Sequence, residues 1–134
     1  MTGPLDPEVV DFARTLFELA RNGDAEQLAA YVDAGVPVEL TNSKGDCLLL
    51  LAAYCPSPET VRALLERGAD PDRVNDQGQT PIAAGAFRNS APTVEALLAA
   101  GADPHLGSPD AVATARFFEI DEMVALLTRG RPAP

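Results

Sequence analysis

Residues 64–82 read LLERGADPDRVNDQGQTPI, and from residue 97 the chain begins the phrase again as LLAAGADPH. Gly45 and Gly78 stand 33 residues apart, as do Val61 and Val94, Leu64 and Leu97, Gly68 and Gly101, and Asp70 and Asp103. The register extends backward, since Leu16, Ala20, Leu28 and Gly35 lie 33 residues before Leu49, Ala53, Val61 and Gly68. It extends forward at a shortened interval of 29, which sets Ala115, Met123, Leu126, Leu127 and Gly130 under Ala86, Val94, Leu97, Leu98 and Gly101. A period in this range constrains the fold more than any other property of the chain. It means short supersecondary units, none able to bury its apolar face alone, stacked on one another. Four units are expected over nearly all of the 134 residues, as a single domain, with the last unit four residues short.

Each unit carries its own local signals. In the second, GDCLLLLAAYC predicts a short apolar helix and PSPETVRALLERG a second one, with Ser57 as its cap and Pro58 at its first position. Val61, Leu64 and Leu65 fall at i, i+3 and i+4, one buried stripe. Gly68 ends that helix, where the backbone often needs a positive φ. The loop ADPDRVNDQGQ is built of turn residues, with Gly78 placed at a hairpin tip, and Thr80-Pro81 restarts a helix as cap and first turn. Ala20, Ala53, Ala86 and Ala115 recur near the end of each first helix, and a small residue at every unit predicts close approach of neighbouring first helices.

Composition narrows the function. Twenty acidic against ten basic residues give a formal net charge of −10, which disfavours nucleic-acid backbones and anionic membranes as partners. No apolar run approaches a membrane span, and MTGPLDPEVVDF lacks the charge and apolar core of a signal peptide, so a cytoplasmic protein is expected. Nine of the ten basic residues are Arg, which with the abundance of Ala, Gly and Pro suggests a GC-rich bacterial source. Cys47 and Cys55, if one helix spans them, are roughly 12 Å apart at ~1.5 Å per residue, too far for a disulfide. His105 is the only histidine, so no Cys/His zinc set is expected, and no cofactor. It follows Pro104 in a loop without a nucleophile arrangement, the glycines sit at helix ends and tips, and Asp70 and Asp72 read as turn formers. An enzyme is not expected.

The pattern N-D-x-G-x-T-P-[LI]-x-x-[AG]-A followed by V-x-x-L-L-x-x-G-A-D-P resembles the ankyrin repeat, best over residues 76–104. The resemblance implies an all-α ankyrin-repeat solenoid of stacked helix-turn-helix units joined by hairpin-like loops. It implies an N-terminal capping repeat over 7–42, repeats at 43–75 and 76–108, a truncated C-terminal capping repeat over 109–130 and a short tail at 131–134. The chain departs from the family pattern in three places. Leu50 and Ala83 stand where the family often has His, Cys47-Leu48 replaces Thr-Pro, and Pro56 and Asn89 replace the Gly between helices.

Family members are mostly binding scaffolds that use the hairpin tips and the concave side of the first helices. Directly after the alanines come Arg21, Tyr54, Phe87 and Arg116, and next Asn22, Cys55, Arg88 and Phe117. Aromatics beside arginines are the residue types enriched in interface hot spots. Tyr54 and Phe87 either stack on each other across units and cover the alanines or present their rings to a partner, and both readings stand at this point. Lys44, Asp46, Asp76 and Gln77 at the tips are further candidates. The expectation is a monomeric, non-catalytic scaffold or regulator of an unknown protein partner. The alternative is an inhibitor or immunity-type protein whose acidic surface occupies a basic site on its target.

Overall fold

The computed structural model describes residues 7–129. The N-terminal residues 1–6, Gly130 of the repeat register and the tail at 131–134 lie outside the described residues. Eight helices follow one another: α1 (Pro7–Asn22), α2 (Ala25–Asp33), α3 (Leu48–Tyr54), α4 (Pro58–Glu66), α5 (Pro81–Phe87), α6 (Ala91–Ala99), α7 (Ala111–Phe117) and α8 (Asp121–Thr128). The odd helices pack in series, α1 on α3 on α5 on α7, and so do the even ones, α2 on α4 on α6 on α8. Each odd helix also packs on the even helix that follows it, so the fold is a two-layer stack of hairpins of helices. Among the described residues the only extended pairing is two isolated bridges, Thr41 with Cys47 and Gly107 with Asp110. The all-α solenoid expected from the repeat is the fold observed.

The caps explain where the helices begin. Thr80 Oγ1 accepts from the Ala83 N–H (3.2 Å) with Pro81 next, and Asp110 Oδ1 accepts from the Ala113 N–H (2.7 Å). Cys47, in the unit that lacks Thr-Pro, holds the same place with its sulfur 3.4 Å from the Leu50 nitrogen. Among the second helices Asp24 Oδ1 caps α2 by accepting from the Gln27 N–H (3.1 Å), but no side chain caps α4, α6 or α8. Ser57 occupies the cap of α4, yet its hydroxyl makes no cap bond and instead donates to the Cys55 carbonyl (2.9 Å). The expected Ser57 side-chain cap is therefore corrected to a cap in position alone.

One bond closes every turn between paired helices: the cap N–H reaches back five residues, Asp24 to Leu19, Ser57 to Ala52, Ser90 to Gly85 and Ile120 to Ala115 (2.9–3.0 Å). The residue before the cap is left-handed in three of the four, Gly23 (φ +76°), Asn89 (+53°) and Glu119 (+56°). Pro56, whose ring fixes a negative φ, fills the fourth, and the turn closes regardless.

These caps and turn bonds correct the register of the last unit. First-helix caps stand at Cys47, Thr80 and Asp110, intervals of 33 and then 30 rather than 29. Four residues are missing between the helix-ending Gly101 and the tip at Gly107, and one extra residue follows the tip before Asp110. Ala115 thus stands under Gly85 rather than Ala86, Leu127 under Leu97, Phe117 under Phe87 and Phe118 under Arg88. Ala20, Ala53 and Ala86 are fully buried, as the close approach of first helices requires. Arg116 takes the next place in that column and is exposed, because among the described residues no helix stacks beyond α7.

A buried hydroxyl separates two otherwise matched units. Thr60 and Thr93 are both fully buried, but Thr93 Oγ1 accepts from Ser90 Oγ (2.8 Å), whereas Thr60 Oγ1 has no partner. Removing an unsatisfied buried group costs nothing in lost bonds, so Thr60→Val is expected to be neutral or to stabilise by about 1 kcal/mol. Thr93→Val breaks a bond and is expected to cost about 0.5–1.5 kcal/mol. Urea denaturation of the two variants checks the contrast, and equal shifts of the same sign would refute it.

Candidate functional site: a groove across the first helices

The exposed side of α3, α5 and α7 carries a groove of about 560 Å³, closed at one edge by the loop residues Gln79 and Pro109. Its floor is Leu50, Ala83, Ala84 and Ala113, and its far wall is Tyr54, Phe87, Phe117 and Phe118. Short side chains at Ala83 and Ala84 open the depression between the longer ones. Leu50 and Ala83 hold the places where a His was expected from the family pattern, which makes the floor apolar. Two polar groups in the lining are already engaged: Thr114 Oγ1 donates to the Asp110 carbonyl (2.8 Å) and Gln79 Oε1 accepts from Asn75 Nδ2 (2.8 Å).

The wall is a run of rings in contact. Tyr54 and Phe87 stack with centroids 5.9 Å apart and planes at 24°, and Phe118 meets Phe87 edge-on at 5.6 Å and Phe117 at 5.0 Å. Of the two readings of Tyr54 and Phe87 left open by the sequence, the geometry shows the stacking across units. The rings pack on each other across units, yet they remain 43% and 45% exposed. Phe118 packs on the row, while Phe117 is 79% exposed. The Arg88 guanidinium sits over the Tyr54 ring, 5.9 Å from its centroid. Arg21 is exposed at the place on α1 that Tyr54 holds on α3, at the head of the row, and Arg116 stands at the end of the stack instead of in the row.

The tip residues divide. Lys44, Asp76 and Gln77 are exposed, but Asp46 is half-buried and engaged within the fold. Its Oδ1 accepts from Asn75 Nδ2 (2.7 Å) and its Oδ2 from Asn42 Nδ2 (3.3 Å). Asn75 is the centre of this joint, since its Oδ1 also accepts from the Gln77 and Gln79 N–H groups (both 2.9 Å). Neighbouring tips touch: the Asp76 N–H donates to the Lys44 carbonyl (3.1 Å), and a Cβ on Gly45 (φ +79°) would lie 3.0 Å from the Asp76 nitrogen. Only glycine suits Gly45, both for its φ and for that contact.

Further acids bridge successive units. Glu39 accepts from Arg73 Nη1 (3.2 Å) and the Asp70 N–H (2.6 Å), Asp72 Oδ1 from the Asp103 N–H (2.8 Å), and Asp33 from Arg67 in a two-point pair (2.9 and 3.2 Å). The pair to Asp33 holds the Arg67 guanidinium charged, with its pKa raised. Part of the acidic excess is therefore structural. Sequence reading missed Asn75, Glu39 and Asp33 in these roles; the 31- to 34-residue separations that join Glu39, Asp33 and Asp72 to their partners are the signal that finds them.

Both cysteines are free thiols; Cys47 is buried, and burial pushes its pKa up. The exposed loop His105 donates its backbone N–H to Asp103 Oδ1 (2.9 Å). Among the described residues no three His, Cys, Asp or Glu gather as a metal set, and no helix is long and apolar enough to cross a membrane. The chemistry the groove offers is apolar and aromatic contact bordered by guanidinium groups.

The profile of a family described as ankyrin repeats (3 copies) matches residues 16–107 of this chain. A Pseudomonas aeruginosa protein described as an ankyrin repeat protein is 45% identical to it over 58 residues, 43% of this chain. That match covers 34% of the relative, so the chain spans about a third of the length of the curated protein it resembles.

Proposed function

Because the chain belongs to the ankyrin repeat family, whose repeats generally mediate protein–protein interaction, we propose that it is a non-catalytic scaffold or regulator of one protein partner. The partner is received in the groove across α3, α5 and α7 and along the adjoining tips at Lys44, Asp76 and Gln77. The observation that carries this reading is the run of part-exposed rings from Tyr54 to Phe118, set on rigid helices around an apolar floor. Rings held in place before binding lose little conformational freedom on binding, which favours them as anchors. The same reading has the protein monomeric, since copies each carrying −10 repel, and cytoplasmic, where its thiols stay reduced.

The test is affinity capture from native cytosol with the parent and with Tyr54→Ala/Phe87→Ala, followed by titration of the captured partner. Each ring is half exposed, so the double variant is expected to keep its helicity. It is expected to lose at least about thirtyfold in affinity, some 2 kcal/mol, the usual threshold of a hot spot. Unchanged affinity in the double variant would sink the proposal. An inhibitor acting through acidic charge is less well supported, because the groove itself is apolar. Repeating the titration at rising salt separates the two, since charge-steered binding weakens steeply and apolar docking does not.

A further inference from the structure

Two arginines at one end of the groove lack what this chain has in excess. With twenty acidic residues against ten basic ones, a guanidinium on this surface has carboxylates to spare. Among the described residues Arg14, Arg67 and Arg73 do form ion pairs with them. Arg21 and Arg88 form none, and neither do Arg62, Arg116 and Arg129; what sets Arg21 and Arg88 apart is their place in the row with Tyr54. Arg88 instead lies over the Tyr54 ring, its Cζ 5.9 Å from the centroid, and no carboxylate among the described residues takes up its N–H donors. Arg21 holds the place next to Tyr54 in the same row, on the neighbouring first helix. Tyr54 therefore has a guanidinium over its face and another beside it in register, and from there the ring wall runs away through Phe87 to Phe118.

We propose that the groove takes an apolar peptide segment bearing a carboxylate, the apolar side chains seated between Phe87, Phe118 and the Ala83–Ala84 floor and the carboxylate held by Arg88 and Arg21. This rests on the groove being the binding site, as argued above, and adds the chemistry of its occupant. Charge complementarity selects that occupant. A basic segment meets two guanidinium groups at the Tyr54 end, and a second copy of the chain brings another −10 of charge to the contact. A neutral polar ligand has little to bond in the lining, where the Thr114 hydroxyl and the Gln79 carbonyl are engaged within the fold. A carboxylate on paired arginines gains charge-assisted, planar hydrogen bonds beside an apolar wall that limits water. Its source is an Asp or Glu side chain or a peptide's C-terminus, and the two present the same group.

Displayed libraries of short random peptides, one format with free C-termini and one with the peptide fused internally, are panned against the whole chain. The enriched peptides are then synthesised and titrated against the parent, Arg21→Gln/Arg88→Gln and Tyr54→Ala/Phe87→Ala. The expected winners carry large apolar residues and a carboxylate, and the arginine double variant weakens them at least about tenfold, as for the loss of a charged hydrogen bond. Neutralising the peptide's carboxylate is expected to cost as much in the parent and almost nothing in the arginine variant. Winners confined to the free-terminus format assign the terminal carboxylate, and winners in both formats assign a side chain. Enriched peptides that lack a carboxylate, or bind the arginine variant as tightly as the parent, overturn the proposal while leaving the groove reading in place if the aromatic variant still loses them. Peptides indifferent to the aromatic variant, or no enrichment at all, count against both.

Discussion

Asn75→Ala is expected to lower the unfolding free energy by about 3 kcal/mol, a large loss for one polar side chain. The side chain is buried and fully engaged: it accepts from the Gln77 and Gln79 amides and donates to Gln79 Oε1 and to the Asp46 carboxylate of the preceding loop. The bond to Asp46 is the costly one to lose, since it leaves a half-buried carboxylate with only Asn42 as side-chain donor, and a hydrogen bond to a charged group is worth about 1.5–3 kcal/mol. The two tip amides add less, because water reaches part of the loop. Asn75→Asp separates the contributions: it keeps the acceptor for the amides but sets a second carboxylate against Asp46. It is expected to be at least as destabilising at neutral pH. Urea titrations of both variants decide this, and an Asn75→Ala within about 0.5 kcal/mol of the parent, the range of ordinary surface changes, would show that the joint contributes nothing.

Ending the chain after Gly107 is expected to destroy the cooperative fold. The cut removes α7 from α5 and α8 from α6, along with the bonds from the Ser108 N–H to the Gly78 carbonyl (2.9 Å) and from the Ala111 N–H to the Pro104 carbonyl (3.2 Å). A stacked array depends on each unit covering its neighbour, so α5 and α6 become an uncapped apolar end. Phe87 also loses Phe118, and the groove loses Pro109, Ala113, Thr114 and both phenylalanines. The expected outcome is aggregate by size-exclusion chromatography and no sharp thermal transition. A soluble, monomeric truncation that melts like the parent would show that the last two helices are dispensable.

What could be read from the residues, and what could not, follows from the range of the forces involved. The period, the glycines and the Thr80 and Asp110 caps act within a few residues, so the architecture was visible in one sequence. The last unit's register is off by one residue when Ala115 and Gly130 are matched to Ala86 and Gly101 at 29, because the helix caps Thr80 and Asp110 stand 30 apart. The helices follow the caps. That slip moved Arg116 into the aromatic row and Phe117 out of it. The joints through Asn75, Asp46, Glu39 and Asp72 were missed for another reason. They join loops about one unit apart in sequence, and only the stacking distance shows which acid meets which amide.

The two ends of the stack differ from its middle in ways that govern how such a molecule can lengthen. At one end α1 begins at Pro7, eight residues before the place where α3 and α5 would start in this register. A helix thus stands where an earlier hairpin would have to enter. At the other end Arg116 holds the place that Ala53 and Ala86 keep small for a neighbouring helix. A unit seated on α7 would meet the Arg116 side chain where the helices on α3 and α5 meet an alanine. A duplication within the interior meets no such obstacle, because a thirty-three-residue block carries its own cap, tip glycine and alanine and presents matching faces on both sides. Such an event would add another first helix to the middle of the groove and leave both termini as they are. Length and binding surface are thus coupled in the stack, since each added block brings both.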